Sequence, residues 1–147
     1  MILGSADALE AWGVRLAESL RVGDIVALSG ELGAGKTTLA RGILRGLGLA
    51  GEAPSPTFTI VQTYDPPEVR LPVWHVDLYR MDTPEDTEEL GLDEAFDTAL
   101  VVIEWPERMG ALLPLRALQI SLDGAGEAER RLTVAVPPDW EGRCLPS

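Results

Sequence analysis

The chain has 147 residues, a formal net charge of −12 and 46% hydrophobic residues, which together predict a single globular domain spanning 1–147. Its 12 lysines and arginines form no cluster, so the composition argues against a protein that grips DNA or RNA by itself. No apolar run reaches the roughly 18 residues of a membrane helix, and the N-terminus has no basic segment followed by an apolar one. We therefore expect no membrane association and a cytoplasmic location.

The hydrophobic pattern predicts alternating helices and strands, as in an α/β fold. Apolar residues at helical spacing predict an amphipathic helix over 6–20, and the apolar run at 24–29 predicts a buried strand. A second helix is expected over 37–47. Further strands are predicted at 58–64, 73–78, 100–104, 117–122 and 131–136, a turn at 123–126, and short helices at 84–90 and 92–99.

The segment GELGAGKT, residues 30–37, fits the phosphate-binding pattern GxxxxGK[ST] and lies between a predicted strand and a predicted helix. In that pattern, glycines let backbone N–H groups face a phosphate, the helix N-terminus adds positive potential, and the threonine hydroxyl binds Mg²⁺. Lys36 is the only lysine in the chain, and its compact ammonium suits this narrow loop better than an arginine fork. The alternative is a glycine turn that carries a solvated lysine.

Two acidic residues follow predicted strands. Asp77 ends the stretch His75-Val-Asp77, where strand alternation places His75 and Asp77 on one side. Asp77 is interpreted as a magnesium or phosphate ligand or, alternatively, as a turn-forming acid at a strand end. His75, the single histidine, is either catalytic or a packed, hydrogen-bonded core residue.

Glu104 ends the apolar strand 100–104, which places it at the sheet edge where open α/β sheets bind ligands. It could ligate Mg²⁺ directly, ligate it through water, or polarise an attacking water. Trp105 beside it has either a packing role or a functional one. The loop containing Ser55 and Thr57 is typical of a switch segment, although serine and threonine are also ordinary loop residues.

The segments GELGAGKTTLARGI, SPTFTIVQTY, HVDLYR and VIEWPER, in this order, resemble the TsaE family over about residues 5–136. The resemblance implies a P-loop NTPase core with a mixed, mostly parallel sheet flanked by helices and a C-terminal antiparallel hairpin. It also implies an ATPase, slow by itself, that acts with TsaD and TsaB. Those partners transfer the threonylcarbamoyl group to adenosine in tRNA, so tRNA would be reached only indirectly.

Carried over by position, the resemblance assigns residue roles. Lys36, Asp77 and Glu104 would be catalytic, and Thr37, Glu104 and Asp77 would hold Mg²⁺. Ser55 and Thr57 would lie in the switch loop, whereas 5–7 and Arg130 or Arg131 would approach the adenine. The residues expected to bind the nucleotide phosphates are Leu32, Gly33, Ala34, Gly35, Lys36, Thr37 and Thr38.

Two other functions remain open for the sequence. A small-molecule P-loop kinase would consume ATP only when an acceptor is present, whereas a nucleotide-sensing module would bind ATP without hydrolysing it. The single cysteine, Cys144, has no nearby histidine in its polar tail and is expected to be inert.

Overall fold

The computed structural model describes residues 1–31, 33–51, 60–124, 129–143 and 145–146, whose strands form a seven-stranded sheet. The strands are β1 (Ile2–Leu3), β2 (Ile25–Gly30), β3 (Val61–Tyr64), β4 (Val73–Asp77), β5 (Leu100–Glu104), β6 (Leu118–Asp123) and β7 (Arg130–Ala135). The helices are α1 (Ala6–Ala17), α2 (Lys36–Gly46), α3 (Pro84–Glu88) and α4 (Leu92–Thr98), with 3-10 segments at Pro106–Leu112 and Pro138–Trp140.

The sheet has the order β1-β7-β6-β2-β5-β4-β3. The four central strands, β6, β2, β5 and β4, are parallel to one another, whereas β1, β7 and β3 pair antiparallel at the two edges. The predicted α/β class, with a mixed central sheet, flanking helices and a C-terminal antiparallel hairpin, is therefore confirmed. Because the central strands are parallel, their carboxyl ends meet at one edge, where the loop after β2 begins.

Helices cover both faces of the sheet, which explains why β2 begins with four apolar residues and β5 is apolar up to its final Glu104. On one face, Val26 and Val102 pack in the same cluster as the buried sides of α1 and α2. On the other face, Ala27 and Val101 pack with α4 and with Met109 of the 3-10 segment. Within the described ranges, no helix is long and apolar enough to cross a membrane.

The element boundaries differ from the predicted ones mainly at the ends. α1 stops at Ala17, three residues early, because the next N–H groups bond back by three residues. β3 begins at Val61, since Ile60 has a φ of 68°, outside the extended region, and positions 58–59 of the predicted strand lie outside the described residues. β1 was missed because two residues show no alternation, and the 3-10 segment at Pro106–Leu112 was missed because it has no helical periodicity.

Helices α1 and α2 approach each other closely through glycines. A Cβ on Gly42 would lie 2.2 Å from the backbone oxygen of Glu10, and one on Gly13 would lie 2.8 Å from the backbone oxygen of Leu39. Real Cβ atoms do not come so near to backbone atoms, so these glycines set the spacing between the two helices. As a result, α1 packs closely against α2, the helix that follows the glycine loop.

Replacing Gly42 with alanine is expected to lower the free energy of unfolding by about 2 kcal/mol. Overpacking costs up to about 3 kcal/mol, and the better helix propensity of alanine returns only about 1 kcal/mol. Urea unfolding measures the difference. Gly4→Ala is the matched control because a Cβ there meets no atom within 4 Å; equal stabilities of the two variants would contradict the close approach.

Candidate functional site

The glycine loop lies between β2 and α2 and forms one wall of a cleft of about 320 Å³, a size typical of small-molecule sites. Gly35, the residue before α2, has a φ of 107°, and a Cβ on it would lie 2.6 Å from a side-chain carbon of Leu9. The positive φ favours glycine, and any other residue here would also have to displace the Leu9 side chain. The predicted phosphate-binding residues that line the cleft are Gly33, Gly35, Lys36, Thr37 and Thr38.

Lys36 is buried in this cleft and holds the loop together. Its ammonium donates hydrogen bonds to the carbonyl oxygens of Gly30 and Glu31, the latter at 2.8 Å. The same nitrogen lies 4.2 Å from the ring centroid of Trp105, within the range of a cation–π contact. Burial lowers the pKa of Lys36, and the nearby carboxylates of Glu104 and other acids oppose that shift.

The two acids predicted at strand ends lie side by side in the cleft. Strand pairing sets Asp77, the last residue of β4, directly opposite Glu104, the last residue of β5. Both line the cleft and both are buried. The fold therefore brings both carboxylates into the cleft that also contains Lys36.

Glu104 is hydrogen-bonded through both of its carboxylate oxygens. The Thr37 hydroxyl donates to Oε1 at 3.0 Å, and Nε2 of His75 lies 2.6 Å from Oε2. His75 is 1% exposed, so it is a packed core residue that also touches the site. The two interpretations of His75 from sequence are therefore not exclusive.

Asp77 is held differently from Glu104. Its Oδ1 accepts a hydrogen bond of 2.9 Å from the backbone N–H of Tyr79. Burial, followed by the negative charge of Glu104, raises the pKa of Asp77, while the Tyr79 N–H and the charge of Lys36 act in the opposite direction. Ionisation of Asp77 therefore lowers the stability of the ligand-free protein.

Asp77→Asn is expected to raise the melting temperature at pH 7 when nucleotide and metal are absent. Asparagine has the same shape, and its oxygen can still accept from Tyr79, but it has no charge to bury. The raised pKa means that wild-type stability falls as pH rises from about 3.8 through the folded-state value, so the advantage of asparagine should shrink toward pH 4.

Calorimetry over this pH range measures the effect, with Asp97→Asn as a control at an exposed acid of α4. A lower melting temperature for Asp77→Asn than for wild type at pH 7 would contradict the inference that burying the charge of Asp77 destabilises the ligand-free protein.

The oxygen atoms at the cleft fit a magnesium ion. Thr37 contributes a hydroxyl, and Asp77 and Glu104 contribute carboxylates, which are hard ligands of the kind that Mg²⁺ prefers. Among the described residues, no three histidines, cysteines or acids come close enough together to hold a metal by themselves. Mg²⁺ usually keeps several waters and phosphate oxygens, so a site with few protein ligands suits it better than a closed cage.

Arg130, from β7, contacts the glycine loop. Its Nε donates to the carbonyl oxygen of Ala34 at 2.9 Å, and its Nη2 lies 3.4 Å from the carbonyl oxygen of Gly33. Arg130 and Ala6 line the cleft, whereas Arg131 is absent from the described cleft lining, and their approach to an adenine stays a prediction. The contact of Arg130 with the loop was not predicted, because 96 residues separate it from Ala34.

An aromatic pair closes another part of the cleft. The rings of Tyr79 and Trp105 have centroids 5.0 Å apart, and both residues line the cleft beside Lys36. Trp105 has a φ of 62°, a conformation that is uncommon outside glycine and frequent at functional sites. Trp105 therefore both packs and faces the site.

Four residues singled out from the sequence lie outside the described residues: Leu32 of the glycine loop, Ser55 and Thr57 of the expected switch loop, and Cys144. Their assigned roles stay predictions.

Comparison with known proteins identifies relatives that match most of this chain. A family model described as threonylcarbamoyl adenosine biosynthesis protein TsaE matches residues 3–132. This chain is similar to proteins from several bacteria that are named tRNA threonylcarbamoyladenosine biosynthesis protein TsaE. The one from Synechocystis is 45% identical over 114 residues, covering 75% of this chain and 71% of its own. The one from Treponema pallidum is 39% identical over 132 residues, covering 89% and 96%.

A solved structure agrees with the sequence relatives. The crystal structure of Bacillus subtilis YdiB superposes with a TM-score of 0.79 at 34% identity and covers 96% of this chain and 87% of its own. The TsaE protein of Bacillus subtilis is 42% identical over 124 residues, covering 83% of this chain and 76% of its own. The resemblance read from four sequence segments is thus confirmed, and the chain belongs to the TsaE family.

Proposed function

We propose that this chain is a Mg²⁺-dependent ATPase that supports the formation of threonylcarbamoyladenosine in tRNA by acting on a complex of TsaD and TsaB. The observation that carries the proposal is the meeting of Lys36, Thr37, Asp77 and Glu104 in one cleft at the carboxyl edge of the sheet. The names of the relatives supply the pathway. The glycine loop at the N-terminus of α2 supplies the phosphate preference.

Lys36 would bind the β- and γ-phosphates of ATP. Its ammonium already lies among oxygen acceptors, the carbonyls of Gly30 and Glu31, so phosphate oxygens can replace those acceptors without moving the lysine far. In a buried cleft this positive charge would stabilise the negative charge that develops during phosphoryl transfer. The N–H groups at the start of α2 would add to the same effect.

Thr37, Asp77 and Glu104 would hold Mg²⁺ and the attacking water. When bound, Mg²⁺ would neutralise charge on the phosphate oxygens and orient them. The Thr37 hydroxyl would turn from Glu104 toward the metal. Glu104 would then orient a water and accept its proton, while Asp77 would complete the shell of metal and water from the neighbouring strand.

The acidic charge of the chain favours a protein partner over direct tRNA contact. A net charge of −12 repels phosphate, so tRNA would be reached through the complex with TsaD and TsaB. The isolated chain should not bind tRNA at physiological salt. Tight binding under those conditions would contradict this part of the proposal.

Steady-state ATP hydrolysis, with Mg²⁺ and with or without TsaD, TsaB and tRNA, tests the function. A slow rate alone that changes on adding the partners supports it. Binding of ATP without turnover in either condition would instead indicate a nucleotide-sensing module. Turnover that depends on a metabolite acceptor and leaves a phosphorylated product would indicate a small-molecule kinase.

A further inference from the structure

His75 makes a buried contact that the steps above do not use. Its Nε2 lies 2.6 Å from Oε2 of Glu104, and both side chains are at most 3% exposed. We propose that His75 is a positioning residue that holds Oε2 of Glu104 and so leaves Oε1 as the oxygen available for the metal or the attacking water. The consequence for hydrolysis rests on the proposed function, whereas the contact itself does not.

The fold places His75 where it can reach this one oxygen. In the pairing of β4 with β5, His75 lies opposite Val102, two residues before Glu104 on the same face of the sheet. Its ring therefore extends along the strand to the carboxylate. The other oxygen, Oε1, faces α2 and accepts from the Thr37 hydroxyl at 3.0 Å. Two groups from two different elements thus fix the two oxygens separately.

Hydrogen-bond chemistry defines the state of the ring. An ionised carboxylate only accepts hydrogen bonds, so Nε2 of His75 carries the hydrogen. Its other ring nitrogen, Nδ1, is buried and has no hydrogen-bond partner among the described residues. A ring protonated on both nitrogens would bury an unpaired N–H group, whereas the neutral ring buries only an acceptor. The geometry therefore favours a neutral ring with its hydrogen on Nε2.

The role of His75 becomes important once nucleotide binds. If Thr37 turns its hydroxyl to Mg²⁺, Oε1 of Glu104 loses its hydrogen-bond donor. Of the two described side chains that contact the Glu104 carboxylate, only His75 would then still hold it. Without that contact the carboxylate can rotate, and its oxygen can move by an ångström or more from a water in line with the phosphate. Displacements of that size cost about 100-fold in rate.

Variants that keep or remove the donor separate positioning from packing. His75→Gln can present an amide N–H near the place of Nε2, whereas His75→Leu fills space without a donor. With TsaD, TsaB, tRNA and Mg²⁺-ATP present, His75→Leu should lower kcat by about 10- to 100-fold while KM and the Kd for ATP change less than about threefold. His75→Gln should recover most of kcat. Equal, near-wild-type kcat for both variants would overturn the proposal.

A second readout needs neither activity nor folded variants of His75. Because the chain contains one histidine, long-range ¹H–¹⁵N spectra of the free protein show a single imidazole. The proposal expects hydrogen on Nε2, a downfield and slowly exchanging Nε2–H signal, and a clear shift of that signal in Glu104→Gln. A ring with its hydrogen on Nδ1 alone, or a signal that Glu104→Gln leaves unchanged, would overturn it.

The two readouts keep this inference apart from the function on which it rests. If wild type shows no hydrolysis with or without partners, the proposed function fails, and the spectra still decide whether His75 holds Glu104. If wild type hydrolyses ATP and the spectra show no contact with Glu104, the function stands and the positioning role fails.

Discussion

Replacing Lys36 with alanine is expected to lower the affinity of the chain for ATP by about 10- to 100-fold, the value of one or two hydrogen bonds to a charged group. Turnover should fall further, by about 100- to 1000-fold, because the same ammonium would stabilise charge in the transition state. The effect is large because Lys36 lies in the cleft and is 5% exposed. In the alanine variant, water therefore cannot easily take over the contacts that the Lys36 ammonium makes.

Equilibrium binding and steady-state hydrolysis measure the two losses. Arg41→Ala is a matched control because it removes a positive charge from an exposed position of the same helix. Lys36→Arg separates charge from shape: a guanidinium keeps the charge but is too broad for the space between the loop carbonyls and Trp105. Wild-type affinity in Lys36→Ala would contradict the phosphate-binding role.

The single lysine also allows a direct test of its position. Acylating reagents modify uncharged amines, and in this chain only Lys36 and the N-terminus offer one. Mass spectrometry can therefore follow the modification of Lys36 without ambiguity. Mg²⁺-ATP should protect it, and ATP added to Arg41→Ala should protect it equally well.

Local patterns predicted most of the fold. The spacing of apolar residues gave α1, α2 and the central strands with errors of a few residues, because amphipathic periodicity depends only on neighbouring positions. The glycine loop could also be recognised from the sequence, because its residue pattern lies between a predicted strand and a predicted helix, as a phosphate-binding loop requires. Elements without periodicity, such as β1 and the 3-10 segment after Trp105, left no such signal.

Contacts between distant parts of the chain were not predictable in the same way. That Asp77 and Glu104 end neighbouring strands depends on the order of strands in the sheet, which one sequence does not specify. The contact of His75 with Glu104 requires both this order and the register between β4 and β5. For this reason the sequence left the role of His75 open.

The packing beneath the site has a similar origin. In the sequence, nothing marks Gly42 as important, and the low helix propensity of glycine argues against its position in α2. Its reason appears only when α1 is placed against α2, with the backbone of Glu10 where a Cβ would be. Likewise, the family resemblance assigned Arg130 or Arg131 only an approach to the adenine, whereas the bonds of Arg130 to Ala34 and Gly33 depend on the position of β7.

Replacing Glu104 with glutamine is expected to lower ATP turnover by about 100- to 1000-fold while the Kd for ATP changes less than about tenfold. Glutamine has nearly the same shape, and its amide oxygen can still accept from Thr37. It cannot take a proton from water, however, and it is a weaker ligand for Mg²⁺. Binding and chemistry should therefore separate in this variant, unlike in Lys36→Ala.

Glu107→Gln is the matched control for this variant. Glu107 is exposed, lies three residues after Glu104, and also acts on the charge of Lys36, so it tests whether a lost negative charge alone slows turnover. Single-turnover hydrolysis with excess protein measures the chemical step without product release. Wild-type turnover in Glu104→Gln would remove Glu104 from the chemistry. An equal loss in Glu107→Gln would show that charge near Lys36, rather than the carboxylate held by Thr37 and His75, sets the rate.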